Sequence, residues 1–144
     1  MVWPSSCAGQ VGYQSECTCS ATSFEVPTDI TAIPPNAFAQ CDSLTSVIAH
    51  PAVTEVGEYA FSGTGLESFA WPVGATTVPA DAFRNAASLK TITGLEAVTE
   101  VGTYAFSGTG LESFAWPVGA TTVPAGAFRN AASLKTITGL EAVT

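Results

Sequence analysis

The sequence predicts an α/β repeat fold, a solenoid of short coils stacked side by side, and three observations predict it. The segment Val53 to Thr99 returns almost unchanged as Val98 to Thr144, with Thr103 in place of Glu58 and Gly126 in place of Asp81. Inside that unit of about 45 residues runs a shorter period, in which Leu44, Leu66, Leu89, Leu111 and Leu134 recur every 22 or 23 residues, a leucine-rich-repeat spacing. Apolar columns follow these leucines at near-constant offsets, as a shared interior requires.

The columns define the elements of one coil. Three residues after each leading Leu stand Val47, Phe69, Ile92, Phe114 and Ile137. Further on come Val56, Val78, Val101 and Val123, and then the pairs Ala60-Phe61, Ala82-Phe83, Ala105-Phe106 and Ala127-Phe128. The same columns run backwards through Phe24, Ile33 and Ala37-Phe38, so a first coil begins near Ala21, and residues 21–144 hold about five coils plus the start of a sixth at Leu134. Segments such as Leu89-Lys90-Thr91-Ile92-Thr93 are β-branched and alternate, which predicts a short strand in each coil and a parallel β-sheet on one face. Bends such as Trp71-Pro72-Val73-Gly74 turn the chain to the opposite face. There the Ala-Phe pairs are expected in short helical or extended segments, with each Phe plugging its coil.

Two columns test the register. Glu67, Lys90, Glu112 and Lys135 alternate in sign, so neighbouring strands would set opposite charges side by side. Trp71 and Trp116 align with Ala49, Gly94 and Gly139, so each large ring can lie over a small residue in the adjoining coil. This alternation makes the true period two coils.

Composition narrows the function. With 47% hydrophobic and 11% charged residues the chain is too apolar for disorder, and a net charge of −8 with only Arg84, Lys90, Arg129 and Lys135 as cations would repel a phosphate backbone, so no nucleic-acid partner is expected. Apolar runs such as Phe69-Ala70-Trp71-Pro72-Val73 fall far short of the roughly 20 residues of a membrane-spanning helix. Residues 1–6 carry neither a basic nor an apolar leader pattern.

The run Ile33-Pro34-Pro35-Asn36-Ala37-Phe38-Ala39-Gln40-Cys41-Asp42-Ser43-Leu44, echoed at Val53-Thr54-Glu55-Val56-Gly57-Glu58-Tyr59-Ala60-Phe61, resembles the BspA-like leucine-rich repeats of bacterial and protist surface proteins. The resemblance covers roughly Ala21 to the end, with the marker Cys replaced in later coils. It implies a secreted or surface-attached, non-enzymatic protein acting in adhesion or interaction, with a protein or glycan ligand that the resemblance does not identify.

Cys7, Cys17 and Cys19 lie outside the columns in a Gly/Ser/Gln-rich stretch, whereas Cys41 lies inside the first coil. Residues 1–20 are expected to cap the first layer, held by disulfides among these four cysteines. Three pairings are open, and so is a free buried thiol at Cys41, whose column otherwise holds Thr64, Ala86, Thr109 and Ala131. The spacing Cys17-Thr18-Cys19 is wrong for zinc, and no metal or cofactor is expected.

No catalytic set emerges. The single His50 sits beside Pro51 in a bend without a counterpart in other coils, and reads as a surface residue. The duplicated carboxylates Glu55 and Glu100, or Glu96 and Glu141, lack the dissimilar environments that acid–base pairs need. Tyr59 and Tyr104, which precede Ala-Phe pairs, are expected to pack on the outer face.

The candidate binding face is the open side of the sheet. It comprises Thr45, Ser46 and Ile48, then Glu67, Ser68 and Ala70, then Lys90, Thr91 and Thr93, then Glu112, Ser113 and Ala115, then Lys135, Thr136 and Thr138. Interaction or adhesion is the leading reading and a structural spacer or self-assembling scaffold the alternative. The Thr91-Ile92-Thr93 and Thr136-Ile137-Thr138 rows also resemble the Thr arrays of ice-binding solenoids, although Ser68 and Ala70 interrupt them. The sequence stops at Thr144 partway through a coil, so Leu134, Ile137 and Leu140 are expected at an open edge that further chain or self-association would cover.

Overall fold

The computed structural model describes residues 2–9 and 19–144. Ten short strands succeed one another in two columns. The front column holds β1 (Ser23–Glu25), β3 (Ser46–Ile48), β5 (Ser68–Ala70), β7 (Thr91–Thr93), β9 (Ser113–Ala115) and β10 (Thr136–Thr138). The second holds β2 (Ala32–Ile33), β4 (Glu55–Val56), β6 (Thr77–Val78) and β8 (Glu100–Val101). All pairings are parallel and keep the predicted register, with Phe24 opposite Val47, Phe69 opposite Ile92, and Ile137 opposite Phe114.

The strand pairing is periodic, and coil length sets the period. Where a coil runs 23 residues between leading positions, the strands pair: β1 with β3, β5 with β7, β9 with β10, and behind them β2 with β4 and β6 with β8. Where a coil runs 22, through the connectors Ser62-Gly63-Thr64-Gly65 and Ser107-Gly108-Thr109-Gly110, the front strands adjoin without a ladder. The shorter connector draws its chain tight against the preceding coil. A Cβ on Gly65 would strike the Asp42 carbonyl, and one on Gly110 the Ala87 carbonyl.

The Ala-Phe side corrects an expectation. Among the described residues its segments contain no helix, and the one helical turn is the 3₁₀ piece Leu140–Ala142. Two residues in each segment hold left-handed backbone, one directly before the Ala (Asn36, Tyr59, Asp81, Tyr104, Gly126) and one two after the Phe (Gln40, Gly63, Asn85, Gly108, Asn130). These reversals interrupt the run of right-handed dihedrals that a helix needs. Donors therefore alternate. Ala39 N–H donates within its coil to Asn36 O at 3.1 Å, whereas Phe38 N–H donates to Ala60 O of the next coil at 2.8 Å. The inter-coil bond repeats from Phe61 to Ala82, Phe83 to Ala105 and Phe106 to Ala127 at 2.8 to 2.9 Å, so this side is laddered through every coil.

Inside that ladder the phenyl rings form one stack. Phe38, Phe61, Phe83, Phe106 and Phe128 succeed one another with centroids 5.1 to 5.7 Å apart and planes within 14°. The first four are fully buried, as are Leu44, Leu66, Leu89 and Leu111. Trp71 and Trp116 enter from the bends and are 2% exposed, and their indole N–H groups donate to Ala75 O at 2.7 Å and Ala120 O at 2.6 Å.

At one end Trp3 packs on Phe24 and Phe38 at 5.6 and 5.5 Å, while Ser5 and Gly9 N–H groups donate to Ala37 O and Pro35 O. Cys19 bonds to Cys41 across one coil, which rules out the free thiol at Cys41, and Cys7 is also disulfide-bonded. Cys17 lies outside the described residues. In the last layer Leu140 is 40% and Val123 44% exposed, and Phe128, Leu134 and Ile137 are partly buried, whereas their counterparts Phe83 and Leu89 one unit earlier are sealed.

Truncating the middle of the stack should cost most. Phe83→Ala is expected to lower unfolding free energy by about 3–5 kcal/mol and the half-buried Ile92→Val by under about 1.5 kcal/mol, read by chemical denaturation. Equal losses from the two would mean that the phenyl column does not carry the interior.

Candidate interaction face

Strand alternation builds the face. Val47, Phe69, Ile92, Phe114 and Ile137 point inward, and the residues on either side of each point out. All fifteen candidate residues are exposed: Thr45, Ser46, Ile48, Glu67, Ser68, Ala70, Lys90, Thr91, Thr93, Glu112, Ser113, Ala115, Lys135, Thr136 and Thr138. The structure thus assembles them on one open surface of small hydroxyl and methyl groups and alternating Glu and Lys side chains, with Ile48 as its bulkiest apolar member at 58% exposed.

The alternating charges fall beside one another, as the columns require. Lys90 N–H donates to Glu67 O and Lys135 N–H to Glu112 O, each at 2.9 Å. The side chains nevertheless stay apart in solvent. Among the described residues the close ion pair is elsewhere, between Arg84 Nη1 and Asp81 Oδ1 at 3.2 Å.

That pair belongs to a cluster on the Ala-Phe side that sequence reading missed. Asp81 is 7% exposed with φ 56°, and it takes the Tyr59 hydroxyl from the preceding coil as well as Arg84. The Arg84 guanidinium reaches on to lie 5.9 Å from the Tyr104 ring centre. One unit later Gly126 stands in the place of Asp81, and a Cβ there would strike the Tyr104 ring. Tyr59 therefore meets a carboxylate and Tyr104 fills a vacancy. The available signal was the exchange of Asp81 for Gly126 between otherwise matching copies. Tyr59 and Tyr104 are both half-buried on this side.

His50 is half-buried instead of being a free surface residue, and its Nε2 donates to Pro27 O at 2.8 Å. Among the described residues no cluster of three or more His, Cys, Asp or Glu side chains could hold a metal. No helix there is long and apolar enough to cross a membrane.

Parallel ladders, a buried phenyl column and an open sheet face define a leucine-rich-repeat β-solenoid. The chain belongs to the family of BspA-type leucine-rich-repeat regions, six copies of which match residues 10–138. It is similar in structure to the T. pallidum leucine-rich repeat protein, at 27% identity and TM-score 0.73 over 81% of this chain and 57% of that one. It is also similar to a leucine-rich cell surface protein from Faecalibacterium prausnitzii A2-165, at 26% identity and TM-score 0.64 over 92% of this chain and 46% of that one. The chain thus spans about half the length of these solved proteins. No curated protein matches it in sequence.

The Tyr59 phenol is held above its ordinary pKa of 10.0, first by burial and then by its hydrogen bond to Asp81 and that residue's charge, partly countered by Arg84. Because the folded value is the higher one, the interaction contributes fully below the unfolded pKa and is lost as pH rises through the folded one. In an ultraviolet titration Tyr59 should ionise above the ordinary phenol value, and Asp81→Asn should move that transition down. An unmoved transition would show that Asp81 does not hold Tyr59.

Proposed function

We propose that this chain is a non-enzymatic, extracellular or cell-surface repeat protein that mediates protein interaction or adhesion through the open face of its sheet. The observation that carries this reading is the separation of roles along each strand: inward residues build a continuous core, and outward ones form an exposed surface that the fold does not consume. Membership of a repeat family that is generally non-enzymatic supports it, and so does similarity to a protein described as a leucine-rich cell surface protein. Residues 1–20 act as the cap of the first layer in this reading, and the Cys19–Cys41 disulfide suits an oxidising environment.

The test is a pull-down from extracellular proteins together with a glycan array, using the folded chain and a Glu67→Lys, Glu112→Lys variant. A ligand of the face should be retained by the parent and released by the variant, because both substitutions lie on the face and leave the core untouched. Retention by both would remove the face as the site.

A second reading is favoured by the sameness of the face. The residues presented by the coils that begin at Leu66 and Leu89 are repeated by those that begin at Leu111 and Leu134. A rod that spaces or assembles would look like this. Light scattering should then show mass rising with concentration, and a monomer throughout would dispose of the assembly.

A further inference from the structure

Beside the seam between β7 and β9 lies a groove. The 22-residue coil leaves these strands without a ladder, and the bends beyond their carboxyl-terminal ends face each other across the groove. This groove of about 380 Å³ is floored by Ile92, Leu95, Trp116 and Pro117, a volume within the roughly 300–1,000 Å³ of small-ligand sites. Its floor is preformed. Leu95 is 6% and Trp116 2% exposed, and the indole is tethered to Ala120 O at 2.6 Å. Gly94, at φ +81°, cannot carry a side chain into the space, because a Cβ there would press on the Trp71 carbonyl.

Two rim residues give the groove its chemistry. Val118 is 72% exposed and forms an apolar lip, and Glu96 is exposed and has no ion-pair partner among the described residues. Glu96 is the one charged residue of the lining, and the other charges on or just past the bends along this edge of the solenoid, Asp29, Glu55, Glu100 and Glu141, are acidic and exposed. The four cations stand away from the bends: Lys90 and Lys135 precede front strands, and Arg84 and Arg129 follow Phe83 and Phe128. An apolar trough with a carboxylate at its rim matches a long aliphatic stem with a cationic tip.

We propose that the groove receives a Lys or Arg side chain from a basic peptide segment of a partner protein, its stem on Leu95, Trp116 and Val118 and its cation at Glu96. Thr93 and Ala115 line the groove and also belong to the sheet face, so the inference rests on the reading that this face binds protein. It adds to that reading an anchor of defined charge at one edge.

Fluorescence polarisation with a labelled hexa-arginine peptide on the full chain tests it, with hexa-citrulline, the neutral isostere, as control. The arginine peptide should bind at least about tenfold more tightly than its control. Glu96→Gln should weaken binding about fivefold or more, and Ala115→Arg, which brings a cation of its own to the rim, should abolish it. Glu141 is the duplicate of Glu96 and does not line the groove. Glu141→Gln removes the same charge and should change binding by less than about twofold. All three substitutions are at exposed positions, and circular dichroism verifies that each variant is folded.

The proposal is overturned if hexa-arginine does not bind, if citrulline binds equally, or if the two glutamate variants lose affinity alike. If Glu67→Lys, Glu112→Lys releases a captured partner while Glu96→Gln leaves the peptide bound, the face reading stands and the groove falls. A groove that passes on a chain whose face captures nothing separates the two in the opposite sense.

Discussion

The structure depends on the inter-coil hydrogen bonds of the Ala-Phe side. They run from Phe38 to Ala60, Phe61 to Ala82, Phe83 to Ala105 and Phe106 to Ala127, without a break at the seams that interrupt the front sheet. A solenoid coil has no core of its own and is stable only against its neighbours, so one element must keep a constant rise through the array. Here that element is the segment around each phenylalanine. The ring stack and the backbone ladder enforce the same spacing, and a coil of either length must meet it.

Meeting it with coils of unequal length sets the two-coil period. The connector Arg84-Asn85-Ala86-Ala87-Ser88 has one residue more than Ser62-Gly63-Thr64-Gly65 and delivers the following strand into full register. The shorter connector leaves its strand beside its neighbour without a ladder. The Trp and Gly alternation follows the same beat: β5 and β7 are a bonded pair, and there the small Gly94 permits the chain to lie against the Trp71 backbone. Across the seam the close approach falls later in the bend, where a Cβ on Gly119 would press on the Val98 carbonyl.

Much of this was legible because stacking makes position in sequence equivalent to position in the layer. Leading leucines, inward strand residues and phenylalanines fall where the columns put them, and so do the exposed face residues. The absence of helix was written in the same columns but in a different property. Asn36, Gly63, Asp81, Asn85, Gly108, Gly126 and Asn130 are residue types that tolerate left-handed backbone, and they recur at two fixed places around each Ala-Phe pair. Hydrophobic periodicity does not register that preference. Tyr59, Tyr104 and Gln40 at equivalent places also hide it, since a bulky side chain seldom adopts that conformation unaided. The Cys19–Cys41 bond was beyond reach because composition allows three pairings and only the coil geometry selects one.

The groove and the Tyr59–Asp81–Arg84 cluster were illegible for a common reason, since each arises where two nearly equal coils meet with a small difference. At the cluster, Asp81 satisfies a hydroxyl that would otherwise be partly buried against the neighbouring coil, and its replacement by Gly126 makes room for Tyr104. The groove lies beside such a seam, between the bends that follow β7 and β9. Repetition makes this solenoid surface plain, because alternate coils from Leu66 onward present the same side chains at the same spacing. Departures from repetition, in length or in one side chain, are therefore the places where such a fold acquires a shape that a partner can distinguish, and in this chain one departure lies at the edge of the exposed face.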